Sequence, residues 1–155
     1  MITIKITGFK ELNLRFLVLD FNGTLAADGI LLNGVAEKLN ELASELEIHV
    51  ITADTFGKAK AQLKNVKCKV IIADEAEQQS QKLDYIAQLE ADCVVAIGNG
   101  RNDALMLKHA ALGIAVIQKE GASSETLMNA DVICTNIIYL TGPKTLTASW
   151  AIRHI

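Results

Sequence analysis

The chain has 155 residues, of which 50% are hydrophobic, 5% aromatic and 21% charged, the composition of a globular protein rather than of a disordered or repetitive one. A chain of this length buries about 70% of the surface its unfolded form exposes, so one domain over residues 1–155 needs neither a disulfide nor a structural metal to fold. Fifteen Lys and Arg against eighteen Asp and Glu give a formal net charge of -3, and without a basic run this excludes the electrostatic footprint of a nucleic-acid or anionic-membrane binder.

Ile2, Ile4 and Ile6 alternate with polar residues, which predicts a strand over 2–7 rather than a signal peptide. No apolar run approaches the roughly 18 residues of a membrane span, and the cytoplasm is the expected location. Short runs rich in Val and Ile predict further strands over 15–20, 47–52, 69–73, 93–97, 113–117 and 131–134. Phe16 to Leu19, Val70 to Ile72 and Val94 to Ile97 show no polar alternation, as in parallel strands covered on both faces. Amphipathic stretches fill the gaps. Over 34–46, Val35, Leu39, Leu42 and Leu46 share one face; over 78–90, Leu83, Ile86, Ala87 and Leu89 do. A third helix begins near Asn102 and a last short one at Pro143. The alternation predicts an α/β fold, a Rossmann-like three-layer α/β/α arrangement around a mainly parallel sheet. Cys68, Cys93 and Cys134 form no CxxC pair and read as three buried thiols in a reducing compartment, while His49, His109 and His154 stand alone.

Ligands of an open parallel sheet bind at the carboxyl ends of its strands. One strand delivers Asp20 there, followed by Asn22, Gly23 and Thr24 in a sharp turn, and another ends on Thr52, Ala53 and Asp54. A third runs into Gly98-Asn99-Gly100-Arg101-Asn102-Asp103, and Lys82 lies in the preceding helix. Carboxylates, a hydroxyl, an ammonium and loop amides at one edge suit a phosphoryl group and a magnesium ion. The third glycine of a dinucleotide fingerprint is missing, since Asp103 stands in its place.

Asp20-Phe21-Asn22-Gly23-Thr24-Leu25, Thr52, Lys82 and Gly98 to Asp103, in this order, resemble the four motifs of the haloacid dehalogenase (HAD) superfamily, whose first motif is DxDGTL, or DKTGT in P-type ATPases, and whose fourth is commonly GDGxND. The resemblance implies phosphoryl transfer to a nucleophilic Asp20, a phosphate held by Thr52, Ala53, Gly23, Asn102 and Lys82, and Mg2+ bound by Asp20, the backbone carbonyl of Asn22, Asn99 and Asp103. Asn22 stands where the family's phosphatases usually carry the acid-base Asp, a position occupied by Thr in P-type ATPases. Loss of general acid-base catalysis, typically worth about 10²–10⁴-fold, implies slow turnover or a long-lived aspartyl-phosphate unless Asp28 or Asp54 replaces it. Asn99 removes one charge from the ion site, and Lys58 or Lys60 is an alternative source of positive charge to Lys82. The expected activity is magnesium-dependent hydrolysis of a small phosphorylated substrate; the alternative is a catalytically weak HAD-like domain that binds a phosphorylated ligand or a protein partner. Only 27 residues separate Thr24 from Thr52 and 29 separate Thr52 from Lys82, too few for a cap domain, so the crevice is expected to be open above a short Ala26 to Asn33 loop, or closed by a homo-oligomer pairing through the N-terminal strand edge.

Overall fold

Apolar runs without polar alternation become the central strands, because a strand covered on both faces has no side that favours a polar residue. The computed structural model describes residues 1–5, 10–54 and 57–140. An antiparallel pair, β1 (Ile2–Lys5) and β2 (Glu11–Leu14), leads into β3 (Phe16–Asp20). A small hairpin, β4 (Ala26–Ala27) with β5 (Ile30–Leu31), precedes α1 (Val35–Leu42), β6 (Glu47–Thr52), α2 (Lys58–Gln62) and β7 (Lys69–Ile72). The chain continues through α3 (Gln78–Gln88), β8 (Val94–Gly98), α4 (Ala104–His109), β9 (Leu112–Val116), α5 (Ser124–Asn129), β10 (Val132–Cys134) and α6 (Ile137–Leu140).

Six of these strands form one parallel sheet in the spatial order β10-β9-β8-β3-β6-β7. On one face Leu17, Leu19, Val50 and Ile97 pack with Val35 and Leu39 of α1 and with Ile4 and Leu14 of the N-terminal pair. On the other, Val18, Ile51, Ala96 and Ala115 pack with Ile86 of α3 and with Met106 and Leu107 of α4. The result is the expected α/β/α layering. Every residue of β8 and β9 is buried, and each large aliphatic side chain so placed contributes about 1.5–3 kcal/mol.

From β3 the chain moves to β6 and β7 on one side, then crosses back through α3 to β8 on the other. Strand order therefore reverses at β3, and the crevice at its carboxyl end is flanked by the ends of β6 and β8. Among the described residues, the small hairpin, α1, α2 and the strands occupy the intervals between Thr24 and Thr52 and between Thr52 and Lys82.

Several elements differ from expectation. The first strand lies outside the central sheet and pairs along Ile2–Lys5 with β2, so the edge expected to join subunits already has a neighbour on one side; the predicted remainder, residues 6 and 7, lies outside the described residues. The 26–33 loop contains a hairpin. The first helix is shorter than 34–46: Gly34 sits at φ 83 before its first turn, and beyond Leu42 the chain continues in turns. Lys82 is the fifth residue of α3 rather than its opening residue. Cys68, Cys93 and Cys134 are free but half-buried, not buried. The helix expected from Pro143, and His154, lie outside the described residues.

Candidate active site

The pleat of β3 turns Val18 toward α3, and Asp20, two residues on, follows it. Because α3 is the crossover helix, its Lys82 passes close to that strand end: Nζ donates to Asp20 Oδ1 and to Asp103 Oδ1, each at 2.6 Å. Lys82 and Asp103 are fully buried and Asp20 is 7% exposed. Burial raises Asp20, as does the Asp103 carboxylate, and Lys82 with the Phe21 backbone N–H only partly offsets this, so Asp20 is pushed up to about 7. For Lys82 burial opposes the charge, yet the two carboxylates outweigh it and hold the ammonium above its ordinary value. The cation is thus an internal counter-ion, fixed before any substrate arrives.

Asp103 Oδ2 accepts the backbone N–H groups of Asn99 and Gly100, at 3.0 and 2.9 Å, so both its oxygens are engaged. Gly98 makes room for it: a Cβ there would lie 2.4 Å from Asp103 Cγ. Asn99 is held in turn. Its Oδ1 accepts the Thr24 hydroxyl at 3.2 Å, its Nδ2 donates to the Gly121 carbonyl at 3.1 Å, and this network fixes which way the amide faces. The amide lies across Gly23, where a Cβ would come within 2.2 Å of Nδ2 and where φ is +78. Thr52 is 3% exposed, and its hydroxyl accepts the Asp54 N–H at 3.3 Å.

A cavity of about 640 Å³ opens over these strand ends. It brings together Asp20, Asn22, Thr52, Ala53, Asn99 and Asn102, six of the nine residues assigned from sequence. The other three play different parts. Gly23 donates its N–H to the Ala26 carbonyl at 2.8 Å, which removes that amide as a phosphate donor. Lys82 faces two carboxylates rather than the cavity. Asp103 lies behind Lys82 with its oxygens satisfied, which takes it out of the set of oxygens turned to a metal. Asn102, at the cavity wall, donates to Gln78 Oε1 at 2.6 Å.

The remaining donor set is the Asp20 carboxylate with the oxygens of Asn22 and Asn99. These are hard oxygens with one negative charge among them, and such a set fits a magnesium ion whose coordination is completed by phosphate and water. Among the described residues no group of three or more His, Cys, Asp or Glu is placed to hold a metal alone.

Sequence reasoning missed Gln118. Its Nε2 donates to the carbonyls of Gly23 and Thr24 at 3.1 and 2.6 Å, and its Oε1 accepts the Ile137 N–H at 3.1 Å. A glutamine just past a strand has no local signature, and only the folded chain brings it to the turn after Asp20. Lys58, Glu75 and Glu120 also line the cavity, and of these only Lys58 is a candidate from its place beside a motif in the sequence.

Residues 36–137, about two thirds of the chain, match the haloacid dehalogenase-like hydrolase family. A 44-residue stretch is 52% identical to the Methanocaldococcus jannaschii protein MJ0073, over 28% of this chain and 47% of that protein, so the match spans about half the length of that relative. In three dimensions the chain is similar to the 3-deoxy-D-manno-octulosonate 8-phosphate phosphatase of Moraxella catarrhalis, in a structure with magnesium, phosphate and the sugar acid. The TM-score is 0.64 at 18% identity, covering 80% of this chain and 77% of that one. The cobalt-bound octulosonate 8-phosphate phosphatase of Haemophilus influenzae gives 0.64 at 14% identity, covering 80% and 78%. At these identities the likeness is one of fold.

Proposed function

Since the chain belongs to the haloacid dehalogenase-like hydrolases, we propose that it is a magnesium-dependent phosphatase in which Asp20 takes the phosphoryl group and returns it slowly to water. The observation that carries this reading is the buried Asp20–Lys82–Asp103 triad, of which Asp20 lines a polar cavity. Lys82 donates to Asp20 Oδ1, and in this reading Oδ2 makes the in-line attack on phosphorus while Oδ1 keeps a lone pair for the metal. A bond forms between Asp20 and phosphorus, and the ester P–O bond breaks. Thr52, accepting from Asp54, can donate its own hydroxyl hydrogen to a phosphoryl oxygen, with the Ala53 and Asn102 amides beside it. Asp20, the Asn22 carbonyl and Asn99 would hold a magnesium ion, which offsets charge on the phosphoryl oxygens. Asp103 acts through Lys82 and is a positioning residue.

Asn22 has no proton to give the leaving oxygen and cannot activate water afterwards. Asp54 is a poor substitute, because its two oxygens accept the N–H groups of Ala59 and Lys60, and Asp28, also at the cavity, faces the Lys119 ammonium at 3.7 Å as a carboxylate rather than as a proton-donating acid. The departing alkoxide therefore takes its proton from solvent, and hydrolysis of the acyl phosphate is the slow step. The test is magnesium-dependent hydrolysis of p-nitrophenyl phosphate with rapid-quench detection of phosphoenzyme. The parent should accumulate an Asp20 acyl phosphate, Asp20→Asn should form none, and Asn22→Asp should speed its breakdown by something approaching 10²–10⁴-fold. If parent and Asp20→Asn are equally inert and neither binds beryllofluoride, the chain is a non-catalytic binding domain instead.

A further inference from the structure

On the phosphatase reading, the cavity above Asp20 must hold the leaving group as well as the phosphoryl group, and its walls then select among substrates. The walls are one-sided in charge. Beyond Asp20, the carboxylates of Asp28, Asp54, Glu75 and Glu120 line them, against Lys58. Asp28 is answered by Lys119 at 3.7 Å, an ion pair whose side chains are 81% and 80% exposed and therefore weak. Counting Lys58 and Lys119 against the four carboxylates leaves two negative charges unbalanced. Two of these carboxylates are fixed in place: Glu120 accepts the Asp28 N–H at 2.9 Å, and Asp54 caps α2.

Beyond Thr52, Ala53, Asn99 and two glycines, the neutral lining is made of the amides Asn22, Gln78 and Asn102, and its aromatic residue, Phe21, is 1% exposed. A nucleobase would find no ring face to stack on. A carboxylate or second phosphate on the leaving group would meet like charge, whereas hydroxyl or ammonium groups would meet acceptors. We propose that the substrate is a monoester of a small polyol or amino alcohol, a leaving group rich in hydrogen-bond donors and without a second anionic group. This differs from the sugar-acid phosphate named for the structural neighbours. Two unbalanced charges at roughly 8 Å in aqueous dielectric discriminate about five- to tenfold.

The experiment compares kcat/KM of the full chain with magnesium for glycerol 3-phosphate, phosphoethanolamine, 3-phosphoglycerate and the octulosonate 8-phosphate, with p-nitrophenyl phosphate as reference. The first two should exceed the two carboxylated esters by about five- to tenfold, through KM. The glycerol and ethanolamine arms tell a hydroxyl donor from an ammonium donor. Glu75→Gln combined with Glu120→Gln, and separately 0.5 M salt, should narrow the gap. Hydrolysis of the reference ester with equal or better use of the carboxylated esters overturns the substrate class and leaves the phosphatase reading intact. A gap that neither the double variant nor salt moves overturns the assignment to these walls. No hydrolysis of any ester overturns the phosphatase reading and the substrate class with it.

Discussion

Lys82 carries its charge with no access to solvent, a placement tolerated only because two carboxylates lie 2.6 Å away. Lys82→Met leaves both of them buried beside each other without a cation and should cost about 3–5 kcal/mol in urea unfolding. Adding Asp103→Asn should recover part of that stability but none of the activity. Asp20 imposes the opposite balance. Its folded value, about 7, lies above the ordinary 3.8, so the folded protein binds the extra proton between these limits, and that contribution is present at low pH and lost as pH rises through 7. In metal-free protein the Tm advantage of Asp20→Asn over the parent should grow from about pH 4 to pH 7 and level off above, which calorimetry across that range will check. The placement of Asp20 and Thr52 at the cavity was legible in sequence, because their position at a strand end also sets their direction. The placement of Asp103 behind Lys82 was not. Asn99, Asn102 and Asp103 share one turn, yet they reach Gly121, Gln78 and Lys82 respectively, and sequence gives position along a turn without giving direction.

At the level of elements, the long apolar strands and α3 were readable because their pattern extends over many residues. The hairpin of β4 and β5 was not, since two-residue strands hold no period, and its Asp28 and Gly29, at φ 53 and 76, read equally well as an irregular loop. β2 did carry a signal: Leu12 and Leu14 are buried while Glu11 and Asn13 are exposed, a period of two that the brevity of the segment concealed. Between elements, Gln118 joins the turn after Asp20 to the start of α6. Gln118→Leu removes these bonds and leaves carbonyls at the nucleophile turn without that donor. Its expected effect is a loss of about tenfold or more in kcat and weaker magnesium dependence, with a stability change near 1–3 kcal/mol. A purely structural role would lower the urea midpoint and leave the magnesium dependence as it was.

Across the whole molecule, the sheet order explains why residues 20, 52, 82 and 99 meet although the sequence spreads them over half its length. The reversal at β3 places the ends of β6 and β8 on either side of Asp20, and the crossover that makes the reversal is the helix that carries Lys82. The α/β class and the parallel sheet followed from apolar runs alternating with amphipathic stretches; the strand order did not, because periodicity says nothing about which strands are neighbours. One consequence concerns motion. The amides of Asn99 and Gly100 belong to a loop, where protons ordinarily trade with water within seconds to minutes, yet both are donated to a carboxylate with 0% exposure. Their deuterium uptake should be as slow as that of β8 and should require global opening, whereas the Asp28 amide, donated to exposed Glu120, should label at once. The loop that faces the phosphoryl group would then be among the most slowly exchanging parts of the molecule, a site that stays assembled between turnovers and leaves the mobility to the hairpin above it.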